Sequence, residues 1–277
     1  MNNVKLVLDS AADLTEMAGI DFAYAPLTVV TAEKQYVDTP DLDVNAMTEE
    51  LSAYNGRSTT SCPNTDDWLR AFGNAENIIC ITITGGLSGS YNAACAAKEL
   101  YLDEHPNARI EIIDSLSAGP EITLMAEKAR ELILIGHTPE SAVKELKRYK
   151  TELSFVLSSL HNFACNGRVS KLTAAAAGVL GIRVVGRASD EGTLEPIAKC
   201  RGAEKSFDTL IAQMKRYGYS GGRVIIAHCL EPEGAERLRN KLLAVYPKAD
   251  IEIRPLRGLC SFYAEKKGIL VGYELPR

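Results

Sequence analysis

Short apolar, β-rich runs that alternate with helical patterns constrain this chain more than any other feature. Clear runs are Val4–Leu8, Ile78–Ile83, Ile110–Ile113, Leu153–Leu157 and Val224–Ala227. Helical spacing of apolar residues recurs near 64–73, 91–102, 120–135, 140–149, 203–217 and 232–245. Strands too apolar to have a wet face, separated by helices of this length, predict parallel sheets covered by helices on both faces. The end of the chain breaks the rhythm. Segments 249–254, 258–264 and 268–274 all read as strands with short breaks, so antiparallel pairing is expected there. One helical pattern ends at Arg148-Tyr149-Lys150 and a new strand begins at Leu153. The expected fold class is therefore α/β with two lobes. Residues 1–150 carry a parallel doubly wound sheet and residues 151–277 a mixed α/β lobe, with a ligand between or within them.

A chain of 277 residues with 46% apolar and 24% charged side chains can bury a proper core, which rules out disordered and fibrous classes. No apolar stretch approaches the ~18 residues of a membrane span, so no membrane insertion is expected. The opening Met1-Asn2-Asn3 runs straight into Val4–Asp9, without the basic and long apolar regions of a signal peptide. The seven cysteines are odd in number and lack C-x-x-C spacing, which fits a reduced, cytoplasmic setting without structural zinc. The net charge of −5 hides an asymmetry: 12 basic and 23 acidic residues up to position 150, against 19 and 13 beyond it. Unlike charges could attract across a shared cleft, or the basic half could face an acidic partner. No Lys/Arg cluster is interleaved with aromatics, so nucleic acid is not an expected partner.

In open α/β sheets ligands sit beyond the carboxyl ends of the strands, so the loops there are where chemistry is expected. Asp9-Ser10 and Asp114-Ser115 each end a strand. Ala11 stands where a phosphoaspartyl enzyme would need its second Asp, and both pairs read first as turn and cap groups for backbone amides. Ser58-Thr59-Thr60-Ser61 precede Pro63 and a cap-like Asn64…Asp67 pair. They bring more hydroxyls than one helix cap uses, which suits an anion. Thr84-Gly85-Gly86-Leu87-Ser88-Gly89-Ser90 is glycine-rich but matches no P-loop, dinucleotide fingerprint or nucleophile elbow. It reads equally as an uncharged anion site or a tight structural turn. His161 to Lys171 carries an Asn-Gly turn followed by Arg168 and Lys171, and Lys199, Arg201 and Lys205 add further positive charge. The four histidines and the carboxylates lack metal-ligand spacing, so no metal and no cofactor is expected. His228, at a strand end, reads first as a structural histidine.

In their order along the chain these segments resemble the DegV family, bacterial fatty-acid-binding proteins that include the FakB subunits of fatty acid kinase. Asp9-Ser10-Ala11-Ala12-Asp13-Leu14 is similar to the family's D-S-x-x-D-L, and Thr60-Ser61-Cys62-Pro63 to T-S-x-P. Leu87–Ala94 resembles L-S-G-T-Y-x-S-A, and Ile113-Asp114-Ser115 with Ser117-Ala118-Gly119 resembles its I-D-S/T stretch. Asn166–Lys171 resembles G-G-R-[IV]-S-K, and Lys199-Cys200-Arg201 resembles K-x-R.

The resemblance implies a long-chain fatty acid of palmitate or oleate type, its acyl chain in an apolar tunnel and its carboxylate on Thr60 and Ser88. It places Ser61, Arg168 and Arg201 near the headgroup or on a surface offered to a partner. That partner is an ATP-dependent fatty acid kinase subunit, and the roles implied are sequestration, transport or presentation rather than catalysis. One stretch departs from the family's G-x-V-I-G-x-H-x-G-P-G. Aligned from Gly258, Ala264 takes the His position and Lys266-Lys267 replace Gly-Pro, which leaves Tyr263 or Lys266 as substitute headgroup contacts. The rival reading is a serine-dependent acyl hydrolase or transferase using Ser88 with His228 or His161.

Overall fold

The structure, a computed structural model, describes residues 4–170 and 181–276. Lys171, the last residue of the Asn166–Lys171 motif, lies outside the described residues.

Four strands form a wholly parallel sheet: β1 (Val4–Asp9), β2 (Asp21–Ala25), β6 (Asn77–Thr82) and β7 (Arg109–Asp114), in the order β2-β1-β6-β7. Both faces are covered, as the apolar runs require. Leu6 and Leu8 pack with helices α4 (Pro120–Leu134) and α5 (Pro139–Leu146), while Val7 packs with α2 (Thr65–Phe72) and α3 (Ser90–Glu104). Thus one strand feeds two cores on alternate residues.

A second sheet of six strands runs β10-β9-β8-β13-β11-β12. It comprises β8 (Thr151–Leu157), β9 (Ile182–Ala188), β10 (Leu194–Arg201), β11 (Arg223–His228), β12 (Asp250–Pro255) and β13 (Ile269–Glu274). Only β11 and β12 are parallel; every other pairing is antiparallel. Helices α7 (Ala203–Arg216) and α8 (Pro232–Val245) cover one face through Phe207, Leu210, Met214, Leu238 and Leu242. The opposite face carries Leu153, Phe155, Leu157 and Leu270 toward the first sheet's loops.

A small antiparallel sheet joins β4 (Gln35–Val37), β3 (Thr28–Val30) and β5 (Thr59–Ser61), with α1 (Val44–Ala53) beside it. None of these short elements carries a long enough period to be read from sequence.

One expectation fails. Gly258–Ala264 is a helix, α9, not a strand. Its first turn is held by carboxylates from far upstream: Asp13 accepts from the Arg257 amide at 2.9 Å and Asp38 from the Leu259 amide at 3.2 Å. Buried donors at a helix start must be satisfied, and here the satisfying groups are more than 200 residues away in sequence.

The Asp-Ser pairs serve backbone amides. Asp9 accepts from the Ile83 amide (2.9 Å) and from the Ser90 hydroxyl (2.6 Å), and Ser10 accepts from Leu27 (3.0 Å). Asp114 accepts from Gly85 and Leu116. Asn64 and Asp67 form a reciprocal capping box at the start of α2. All seven cysteines are free thiols. Among the described residues no helix is long and apolar enough to cross a membrane.

Candidate functional site

A cavity of about 290 Å³ lies between the inner face of the six-stranded sheet and the strand-to-helix loops of the parallel sheet. Strand alternation makes one wall. Leu153, Phe155 and Leu157 point into the cavity, while Val156 points to the opposite core. Leu27, Ile83, Leu194, Leu259 and Leu270 extend this apolar lining. The polar groups come from one strand, three loops and one helix: Thr60 and Ser61 from β5, Thr84 and Ser88, Ser117 and Thr193 from loops, and Tyr263 from α9. Arg168 is the one charged side chain in the described lining, and no carboxylate shares it. An anion meets hydroxyls and a guanidinium there, and no like charge.

Each polar group has an identifiable support. Thr60 sits mid-strand in β5, opposite Val29, and its hydroxyl lies 2.8 Å from the Tyr263 phenol. Ser88 precedes α3; its hydroxyl accepts from the Ser90 amide at 3.3 Å and so keeps its own proton to donate. Arg168 is steered by two carbonyls, donating from Nε to Leu87 (3.2 Å) and from a terminal nitrogen to Asn166 (2.6 Å). Its guanidinium stands 5.9 Å from the Tyr263 ring centroid. Burial pushes the Tyr263 phenol above its ordinary pKa; the Thr60 hydrogen bond and the Arg168 charge act against that rise.

Thr60, Ser61, Ser88 and Arg168, far apart in sequence, thus line one cavity. Arg201 does not. It is exposed at the end of β10, an edge strand. Ala264 lines the cavity, but Lys266 is outside the lining and pairs with Glu49. Neither His228 nor His161 lines the cavity. His228 accepts from the Glu231 amide at 3.3 Å, and exposed His161 lies 3.4 Å from the Cys165 thiol. Ser88 therefore has no histidine beside it in the described lining.

The glycine loop has a second explanation beside ligand approach. A Cβ on Gly86 would stand 2.9 Å from the Glu191 carbonyl, so this glycine lets the β9–β10 turn close over the loop. The turn around Glu191-Gly192 is legible in the sequence, but not its place over the cavity, to which it contributes Gly192 and Thr193 beside Thr84 and Ser117. The alternation Leu153-Ser154-Phe155-Val156-Leu157 was the available signal for the apolar wall. Nothing local says that the β9–β10 turn closes on the glycine loop.

The comparisons with known proteins match this geometry. Residues 3–274 match the model of an uncharacterised protein family, the DegV family. A DegV domain-containing protein of Streptococcus pneumoniae is 43% identical over 277 residues, covering 98% of this chain and 99% of its own. A DegV family protein from Eubacterium eligens, solved loaded with heptadecanoic acid, superposes with a TM-score of 0.96 at 42% identity, over 99% of this chain and 100% of that one. The Streptococcus pneumoniae fatty acid kinase (Fak) B3 protein loaded with linoleic acid has the same TM-score, identity and coverage. A family model matched over nearly the whole length, with a relative this similar end to end, shows that the chain belongs to the DegV family.

Proposed function

We propose that this protein binds one long-chain fatty acid, its acyl chain against the apolar wall and its carboxylate at the hydroxyls of Thr60 and Ser88. The observation that carries the reading is the division of the cavity. Leucine and phenylalanine side chains form the wall, hydroxyls gather at the loops, and a single guanidinium is the only charge in the described lining. Each buried methylene contributes about 0.8 kcal/mol, so a long chain supplies the affinity and the headgroup contacts supply orientation. Hydroxyls can orient a carboxylate without the desolvation cost of a buried ion pair. Fatty acids in structures at 42% identity support the same ligand class.

The reading extends to a carrier that works in the cytoplasm and presents the carboxylate to an ATP-dependent kinase subunit, with Ser61, Arg168 and Arg201 toward the partner. Ser61 and Arg201 are exposed, and one relative is a fatty acid kinase B protein. A carrier is favoured over a serine hydrolase because Ser88 has neither His161 nor His228 in its cavity.

Denaturing extraction of the purified protein followed by mass spectrometry is expected to release a stoichiometric long-chain acid. Thr60→Ala with Ser88→Ala is expected to weaken retention of added fatty acid at least tenfold while leaving the folded circular dichroism spectrum intact. Unchanged retention would remove the carboxylate from these hydroxyls. Covalent labelling of Ser88 by a serine-directed phosphonate, with turnover of an acyl ester, would favour the hydrolase instead.

A further inference from the structure

The Thr60–Tyr263 hydrogen bond joins two groups 203 residues apart, and both line the cavity. Tyr263 is held from several sides. Phe163 lies 4.7 Å from its ring centroid, Phe262 lies 4.9 Å away, and the Arg168 guanidinium stands 5.9 Å over its face. Its helix is tied down as well: the Asn162 side chain donates to the Phe262 carbonyl at 2.7 Å, and the Asn162 backbone amide donates to the Glu265 side-chain carboxylate at 3.1 Å. A phenol fixed this way has little freedom to find another partner, so its hydroxyl stays aimed at the site.

The two hydroxyl oxygens lie 2.8 Å apart, so one donates to the other and the second keeps a proton to donate. A carboxylate beside the pair can accept that free O–H, and can accept from both when the mutual bond opens. We infer that Tyr263 is a headgroup donor and the specificity-determining residue of the site, selecting an ionised free acid over a neutral lipid of the same chain length. This inference rests on the fatty-acid reading above. Its physical basis is the donor count. Thr60, Ser88 and Tyr263 each offer one O–H and Arg168 offers N–H groups, whereas an alcohol or methyl ester presents fewer acceptor lone pairs and no charge. The ring has a second task that the hydroxyl does not share, because its face positions the Arg168 guanidinium. Removing the hydroxyl and removing the ring should therefore have different consequences.

The test measures affinities of wild type, Tyr263→Phe and Tyr263→Leu for palmitate, hexadecanol and methyl palmitate at pH 8, with thermal unfolding of each variant as a check of folding. Wild type is expected to prefer palmitate. Tyr263→Phe is expected to lose about tenfold in palmitate affinity and clearly less for the alcohol or the ester, whose neutral oxygens accept a weaker hydrogen bond. Tyr263→Leu should weaken palmitate further, because Arg168 loses its platform. Palmitate labelled with carbon-13 at the carboxyl gives a readout independent of stability: its bound resonance should shift in Tyr263→Phe and not in Lys266→Ala. If Tyr263→Phe leaves both the palmitate affinity and the carboxyl resonance unchanged, or lowers all three affinities equally, the inference is overturned while the fatty-acid reading stands. If wild type binds none of the three lipids, the fatty-acid reading fails and this inference falls with it.

Discussion

Asp13 accepts the Arg257 amide with one carboxylate oxygen and leaves the other buried without a hydrogen-bond partner. Burial raises its pKa to about 7, and the neighbouring Asp38 adds to the rise, while the Arg257 amide, Cys260 and Arg254 oppose it. Asp9, whose Oδ1 is also unpartnered, is raised by burial to about 6, and Glu121, held by Ser117 and Thr151, to about 7. These carboxyls sit above their ordinary values of 3.8 and 4.5, so the folded state takes up protons that the unfolded chain at the same pH does not. Stability should therefore increase as pH falls from 8 through 7 and 6, and the gain should level off near pH 4.5. Each group that is protonated only when folded adds up to about 1.4 kcal/mol per pH unit in that window. Urea midpoints are expected to be higher at pH 5.5 than at pH 8, and Asp13→Asn should flatten the difference. Equal midpoints would mean that these carboxyls titrate normally. At this scale the sequence was informative about which residues matter and less so about why. Asp9 and Asp114 read as turn and cap groups for backbone amides, and their hydrogen bonds agree. Only the folded structure shows that Asp13 serves a helix 244 residues away.

Helix α2, with its strong apolar period and its Asn64–Asp67 box, lies within a residue of its expected bounds. Helix α9 does not, because Phe262 and Tyr263 have high strand propensity and its caps come from Asp13 and Asp38. Local windows contain no information about such donors and acceptors. The β9–β10 turn has a local signal in Glu191-Gly192, but its contact with Thr84 does not. Gly192 has φ of +73°, and a Cβ there would stand 2.1 Å from the Thr84 hydroxyl. Gly136 has φ of +90° with nothing within 4 Å. Alanine at either position pays about 1–2 kcal/mol for the left-handed backbone. Gly192→Ala should cost a further 1–3 kcal/mol, roughly, for displacing Thr84 and the turn from the glycine loop. Comparing the two variants by urea unfolding isolates that contact, and equal losses would show that the turn can move aside freely.

All strands of the parallel sheet precede residue 150 and all strands of the mixed sheet follow it. The chain nevertheless crosses its own division twice. Helix α4 packs on strands of both sheets, and α9, from the second half, packs on β3 and α1 of the first. Arg223 of β11 also pairs with Glu127 of α4 at 3.0 Å. We propose that the division near residue 150 separates sheets rather than folding units. Calorimetry is then expected to give one transition, with the van't Hoff and calorimetric enthalpies equal; two resolved transitions would restore independent lobes. The sequence by itself determined the α/β class, the parallel sheet, the main helices and the loops that carry hydroxyls, because apolar period, glycine and capping residues are local signals. The tertiary structure alone decided that Thr60, Ser88, Arg168 and Tyr263 line one cavity and that Arg201 and Lys266 stand outside it. It also made 258–264 a helix. Those outcomes depend on contacts between groups tens to hundreds of residues apart, and such contacts exist only after the sheets have packed.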